Sequence, residues 1–245
     1  MCTLSFIPSS DGYVVAMNRD ELLSRGVADP PSFRSCEGKG VIHPQDVSGG
    51  TWIAVNEEGT TWALLNWNLG ATSMKERSRG EVVLKVASIS VPELADARIS
   101  AGSLQGIAPF RLFGISFFTR EVREWRWSGM DVQRWSHPWE RSHWFSSGRS
   151  DELASRDRGQ VFQASAREPD SGTLAWLRRI HASHLPRRGA FSVCVHRSDA
   201  ATVSYTEIEV SPGSVSMVYR AGSPCNPSTP VQVTIPARLR SEFRL

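Results

Sequence analysis

The chain has 245 residues, 40% of them hydrophobic and 22% charged, an ordinary globular composition long enough for one large domain. Its 28 basic and 25 acidic residues leave a net charge of +3 with no basic run, which argues against a nucleic-acid partner; lysine occurs only at Lys39, Lys75 and Lys85, an arginine bias expected of a GC-rich bacterial genome. No apolar run approaches the ~18 residues that span a bilayer, and no charged leader precedes a shorter one, so the reading is a cytoplasmic protein without a membrane partner.

Cys2 stands behind the initiator methionine at the head of a strand-like run, Cys2 to Ile7. Methionine aminopeptidases remove Met1 before a small side chain, which would leave one residue carrying a thiol and an α-amine. Such an amine, with a pKa of about 7.7–8.0, can take the thiol proton near neutral pH. The turn cluster Pro8 to Gly12 and the β-rich run Tyr13 to Met17 complete a hairpin. It returns Asn18-Arg19-Asp20-Glu21 toward Cys2, where those side chains can orient an amine, a thiolate or an anionic substrate.

A second hairpin joins Thr51–Val55 to Thr60–Leu65 through Asn56-Glu57-Glu58-Gly59, with Gly59 supplying the positive φ of the turn. Ser48-Gly49-Gly50 leads into it, and Asn66 stands where its second strand ends, able to donate to an oxyanion. Periodicity predicts a helix over 81–89, a second from Pro92, and a hairpin of 111–118 with 121–127. Five of the nine tryptophans fall between Trp125 and Trp144, interleaved with arginines; they fit a sheet covered by helices, or a pocket wall for an acyl or aromatic group.

Helices follow over about 151–166 and, capped by Ser171, through Leu174, Leu177 and His181; His181 and His184 read as helix-surface residues. Strands are expected at 190–196, 202–210 and 215–219, with a tail from Pro224. Cys2, Cys36, Cys194 and Cys225 show neither CxxC nor Cys/His ligand spacing, so no metal site or disulfide framework is expected. The order of strands and helices fits a single α+β domain over 1–245, with helices on both outer faces of two stacked antiparallel sheets.

Met1-Cys2-Thr3, Asn18-Arg19-Asp20-Glu21, Ser48-Gly49-Gly50-Thr51-Trp52, Leu65-Asn66 and Arg79-Gly80, in this order, resemble the NRDE family, also called the transport and Golgi organisation protein 2 family. More distantly, the stretch from Asn56 to Asn66 is similar to choloylglycine hydrolases and penicillin V acylases. The resemblance implies a four-layer αββα N-terminal nucleophile hydrolase sandwich and hydrolysis of a non-peptide C–N amide bond through a Cys2 thioester. It implies catalytic roles for Cys2, Arg19, Asp20 and Asn66, with the choice of Asp20 over Asp11 or Glu21 left open, and a late catalytic arginine at Arg197. Substrate contacts are expected from Asn18, Glu21, Trp52, Ser146 and Ser147. Either serine can take the place of the acylases' second oxyanion asparagine, which is lacking at Trp144 to Gly148. The partner implied is a small-molecule amide, with no cofactor, and a homo-oligomer is compatible. Family links to haem and acyl-CoA imply the alternative of a non-catalytic carrier.

Overall fold

The computed structural model describes residues 2–69, 77–226 and 228–238. Among these residues thirteen strands form two antiparallel sheets, the two-sheet arrangement that the sequence leads one to expect. The first sheet has the order β10(Ser142–Ser146), β1(Cys2–Pro8), β2(Tyr13–Leu22), β11(Ala200–Val210), β12(Ser214–Ala221) and β13(Val231–Pro236). The second runs β3(Asp29–Cys36), β4(Lys39–Gln45), β5(Ile53–Asn56), β6(Thr60–Asn66), β7(Phe110–Ser116), β8(Glu121–Trp127) and β9(Val132–His137).

Side-chain alternation dictates the layers. Leu4, Phe6, Val15 and Met17 of the first sheet meet Ile53, Val55, Ala63, Leu65, Phe113 and Ile115 of the second in the central core. The outward residues of the second sheet, among them Ala54, Trp62, Leu112 and Trp125, pack under α1(Gly80–Val86) and the 3-10 turn Pro92–Ala97. On the far side, Ala16, Phe145 and Tyr205 pack under α2(Asp151–Ser165) and α3(Leu174–His181). The result is helix, sheet, sheet, helix.

Both expected hairpins form, in registers that matter for the site. Cys2 pairs with Arg19 and Thr3 with Asn18 across β1 and β2, while Cys2 pairs with Ser146 on the other side of β1. Cys2, Leu4 and Phe6 therefore face the central layer, and Thr3 and Ser5 face α2 and α3. Gly59 has φ +73° in the β5–β6 turn.

Several expectations change. Residues 190–196 form no regular strand: Cys194 N–H donates to Ser183 O and Val193 N–H to Leu185 O, folding the segment onto its own preceding loop. The tail from Pro224 contains β13, whose Val231 pairs with Tyr219 and Pro236 with Ser214. Thr173, not Ser171, caps α3 by accepting from Trp176 N–H, and the segment from Pro92 is 3-10 rather than α-helical. His181 is fully buried instead of lying on the helix surface.

Candidate active site

β1 begins at the floor of a cavity of about 380 Å³ lined by Cys2, Arg19, Asp20, Glu21, Trp52 and Asn66, with Arg25, Asp46, Arg77 and Arg79 around them. Two glycine motifs build one wall. A Cβ on Gly50 would lie 2.8 Å from Gly80 Cα, so the backbones at Ser48-Gly49-Gly50 and Arg79-Gly80 touch directly, and Thr51 N–H donates to Gly80 O at 3.1 Å. That contact carries Arg79 to the rim of the cavity that holds Cys2.

The Cys2 nitrogen donates to Ser146 Oγ at 2.9 Å. Burial pushes the Cys2 thiol pKa up; the N-terminal charge, a hydrogen bond from the Asp20 backbone and the charge of Arg19 oppose the rise without cancelling it. At rest the thiol is thus protonated, and a nucleophilic role needs a base beside it.

Beneath Cys2 lies Arg158, a fully buried arginine of α2 that the sequence reading did not single out. Its Nη1 donates to Cys2 O at 3.3 Å and Thr3 Oγ1 at 2.9 Å, and its Nη2 reaches Asp20 Oδ2 at 3.3 Å. The second oxygen of Asp20 accepts from Thr202 Oγ1 at 2.6 Å. Asp20 is therefore fixed from both sides, with its backbone toward the thiol and its carboxylate toward the helical layer.

Arg19 sits over Trp52, its guanidinium carbon 4.2 Å from the ring centroid, and pairs with Asp46. Arg25 reaches the same Asp46 at 2.8 Å and Glu21 at 3.7 Å. Burial would raise the Asp46 pKa, but hydrogen bonds from Arg25 and Ser48 outweigh it and hold the carboxyl at about 2. Arg77 is paired with Glu81. Arg79 differs: it donates to Pro109 O at 3.3 Å and makes no ion pair among the described residues. Burial lowers its pKa, against the pull of Glu21 and Cys2. Trp52 Nε1 is buried and has no hydrogen-bond partner among the described residues. Among the described residues, Arg79 is thus a cavity cation without an ion pair, suited to receive a carboxylate or carbonyl.

Six expected site residues, Cys2, Arg19, Asp20, Glu21, Trp52 and Asn66, line this cavity. The others lie elsewhere for clear reasons. Asn18 faces the helical layer and donates to His181 O and Val193 O. Ser146 holds the Cys2 nitrogen, and Ser147 caps the turn before α2, accepting from Arg149 N–H at 3.1 Å. Arg197 pairs with Asp199 at 2.5 Å in the loop before β11 and does not line the cavity. Nor do the five clustered tryptophans: Trp125 and Trp127 belong to the outer core, Trp144 to the central one with Trp139 at its margin, and Trp135 stacks with Arg126. The buried cation beside Cys2 and Asp20 is Arg158, and its position in mid-helix, far along the chain, gave no local signal.

The solved structures similar in fold include a bile acid hydrolase and a penicillin V acylase. A mutant of conjugated bile acid hydrolase from Clostridium perfringens aligns with 11% identity over 95% of this chain and 92% of its own, at a TM-score of 0.55. Penicillin V acylase from Agrobacterium tumefaciens aligns with 13% identity over 96% and 86%, at 0.53. A second variant of the Clostridium enzyme aligns with 10% identity over all of both chains, at 0.54. At these identities the likeness shows the sandwich fold of N-terminal nucleophile hydrolases. No curated protein matches by sequence. Residues 1–160, which contain the whole Cys2 cavity, match Transport and Golgi organisation 2, and the chain belongs to that family.

Proposed function

We propose that this protein is an N-terminal cysteine amidohydrolase acting on a small, anionic amide. The observation that carries the reading is the double placement of Cys2: its side chain lines the cavity while its nitrogen bonds to the Ser146 hydroxyl at 2.9 Å. Once Met1 is removed, that nitrogen is the α-amine, held beside the thiol by β1 and Ser146. The amine takes the thiol proton as Sγ attacks the amide carbonyl carbon, and the carbonyl electrons move to oxygen. Asn66, at the end of β6, is the side-chain donor for that oxyanion.

The tetrahedral intermediate collapses as the amine returns its proton to the leaving nitrogen; the C–N bond breaks and a Cys2 thioester remains. Water, giving its proton to the same amine, attacks the thioester carbon. The acid leaves and the thiol is restored. Arg158 acts at one remove, fixing the Cys2 carbonyl and the Asp20 carboxylate. Arg79 supplies the positive charge that favours a substrate carboxylate at the cavity rim. The carrier alternative draws less support, because the tryptophan-rich stretch lies away from the cavity.

The test is intact-mass spectrometry of protein made with its native N-terminus, before and after a limiting thiol electrophile, with the adduct mapped. Loss of Met1 and labelling concentrated at Cys2 over Cys36, Cys194 and Cys225 is the expected result. Retained Met1, or uniform labelling, would reject the hydrolase and favour a carrier.

A further inference from the structure

Where residues 194–196 and the turn after β12 meet Thr202 of β11, four side chains of the kind that ligate transition metals converge. His184, Cys194, His196 and Cys225 place their ligand atoms all within 4.8 Å of one another. His196 Nε2 lies 3.5 Å from Cys194 Sγ and 3.2 Å from Cys225 Sγ. The rings of His184 and His196 stand 4.9 Å apart at 73°. His184 Nε2 is buried and has no hydrogen-bond partner among the described residues, an unusual state for an imidazole nitrogen.

The geometry points to a Cys2His2 site for a single zinc ion. Bonds of about 2.3 Å to sulfur and 2.0–2.1 Å to nitrogen put the ligand atoms of a tetrahedral site roughly 3.3–3.8 Å apart, the separation that the two measured Cys–His pairs already approach. Two thiolates and two neutral imidazoles suit a borderline-soft ion and neutralise its charge; Mg²⁺ and Ca²⁺ would require oxygen ligands. The set is too compact for the wider spread of cysteines around a cluster of several irons. As zinc binds, the two thiol protons leave to solvent. The His196 ring proton moves to Nδ1, so that Arg188, which donates there at 3.3 Å, turns out to solvent.

The site closes a loop on itself and ties it to the sheet. Cys194 and His196 flank Val195, whose N–H donates to Thr202 Oγ1 at 2.8 Å and whose carbonyl accepts from Thr202 N–H at 3.0 Å. Ser223, two residues before Cys225, donates to Thr202 O at 2.8 Å. Thr202 is also the residue that donates to Asp20. The ion would therefore fasten the two segments that hold Thr202, and through it the carboxylate under Cys2. With all four protein ligands in place, the site is structural rather than catalytic.

Untagged full-length protein, purified without chelator, should carry about one zinc per chain by elemental analysis. Replacing zinc by Co²⁺ should give a thiolate-to-cobalt charge-transfer band with the intense visible absorption of a tetrahedral ion. Cys194→Ser and Cys225→Ser should each lose most of the bound zinc, and Cys36→Ser should keep it. Should the cluster variants fail to fold, the cobalt spectrum of the wild-type protein still decides. Protein that retains no zinc after incubation and desalting, a Co²⁺ spectrum without a thiolate band, or a mass lacking the two thiol hydrogens of a Cys194–Cys225 disulfide would each overturn the assignment.

Discussion

Arg158, on a helix 156 residues further along the chain, donates to the backbone carbonyl of Cys2 at 3.3 Å and to the carboxylate of Asp20 at the same distance. Both side chains of the Arg158–Asp20 pair are completely buried. Removing one member leaves a charge in low dielectric without its counterion, which costs about 3–5 kcal/mol. Arg158→Met is expected to lose that much in urea unfolding, and Arg158→Met with Asp20→Asn to recover part of it. Strict additivity of the two single changes would show that the pair is not coupled.

Ser146 is expected to matter for reactivity more than for folding. Its hydroxyl accepts from the Cys2 nitrogen, and a bond of about 1 kcal/mol corresponds to roughly a fivefold rate change. In Met1-free protein, Ser146→Ala should slow alkylation of Cys2 by about that factor and leave the circular dichroism spectrum unchanged. An unaltered rate across pH 6 to 9 would remove Ser146 from the site.

Arg79 should confer a preference for negative reagents. Iodoacetate and iodoacetamide have nearly the same size and differ in charge, so the ratio of their rates at Cys2 reads the field of the cavity. Arg79→Gln is predicted to lower the iodoacetate-to-iodoacetamide ratio roughly tenfold, a change of about 1.4 kcal/mol. The same ratio in both proteins would place the selectivity elsewhere.

A buried chain on the helical side gives a pH prediction. His143 Nδ1 lies 2.9 Å from Ser5 Oγ, Ser5 Oγ 2.8 Å from His181 Nε2, and His181 Nδ1 3.0 Å from Asn18 Oδ1. Burial drives both histidines down to about 3. Between about pH 3 and the ordinary value of 6.5, the unfolded chain binds protons that the folded one refuses. Stability is thus full above 6.5 and falls as the solution is acidified toward 3. Asp46 and Glu124, both held at about 2, add their loss only below their ordinary values of 3.8 and 4.5. Urea midpoints should therefore drop between pH 6.5 and 4.5 by the equivalent of on the order of 3 kcal/mol, and His181→Gln should reduce the slope. A flat wild-type profile in that window would contradict the buried neutral pair.

The site was legible where the sequence is local. A tight hairpin with clear turn residues sets β1 against β2, so the return of residues 18–21 toward Cys2 followed from spacing, and a second hairpin ends β6 at Asn66; that Asn66 joins Cys2, Arg19 and Asp20 in one site was implied by the family resemblance. What stayed hidden depends on distant packing. Arg158 belongs to a helix that carries many charges, so nothing local marks it, yet its position is the one turned under Cys2. Asn18 and Arg19 are neighbours in sequence and face opposite sides of β2, and only one of them reaches the cavity. β3 escaped notice because Pro30 and Pro31 break a strand pattern; as an edge strand with a register shift between Asp29 and Ser32, it tolerates both. The convergence of residues 184, 194, 196 and 225 spans a loop and a later turn, which no ligand-spacing rule covers.

That β1 starts within the cavity itself has a practical consequence for anyone screening this protein. An affinity tag or fusion partner joined ahead of Cys2 would turn the nitrogen facing Ser146 into a permanent amide and run an extra strand of chain from the cavity floor. On the proposed mechanism, a library assayed in that format would return blanks. The carboxyl end, beyond β13 at the opposite border of the same sheet, is the end to which a handle belongs.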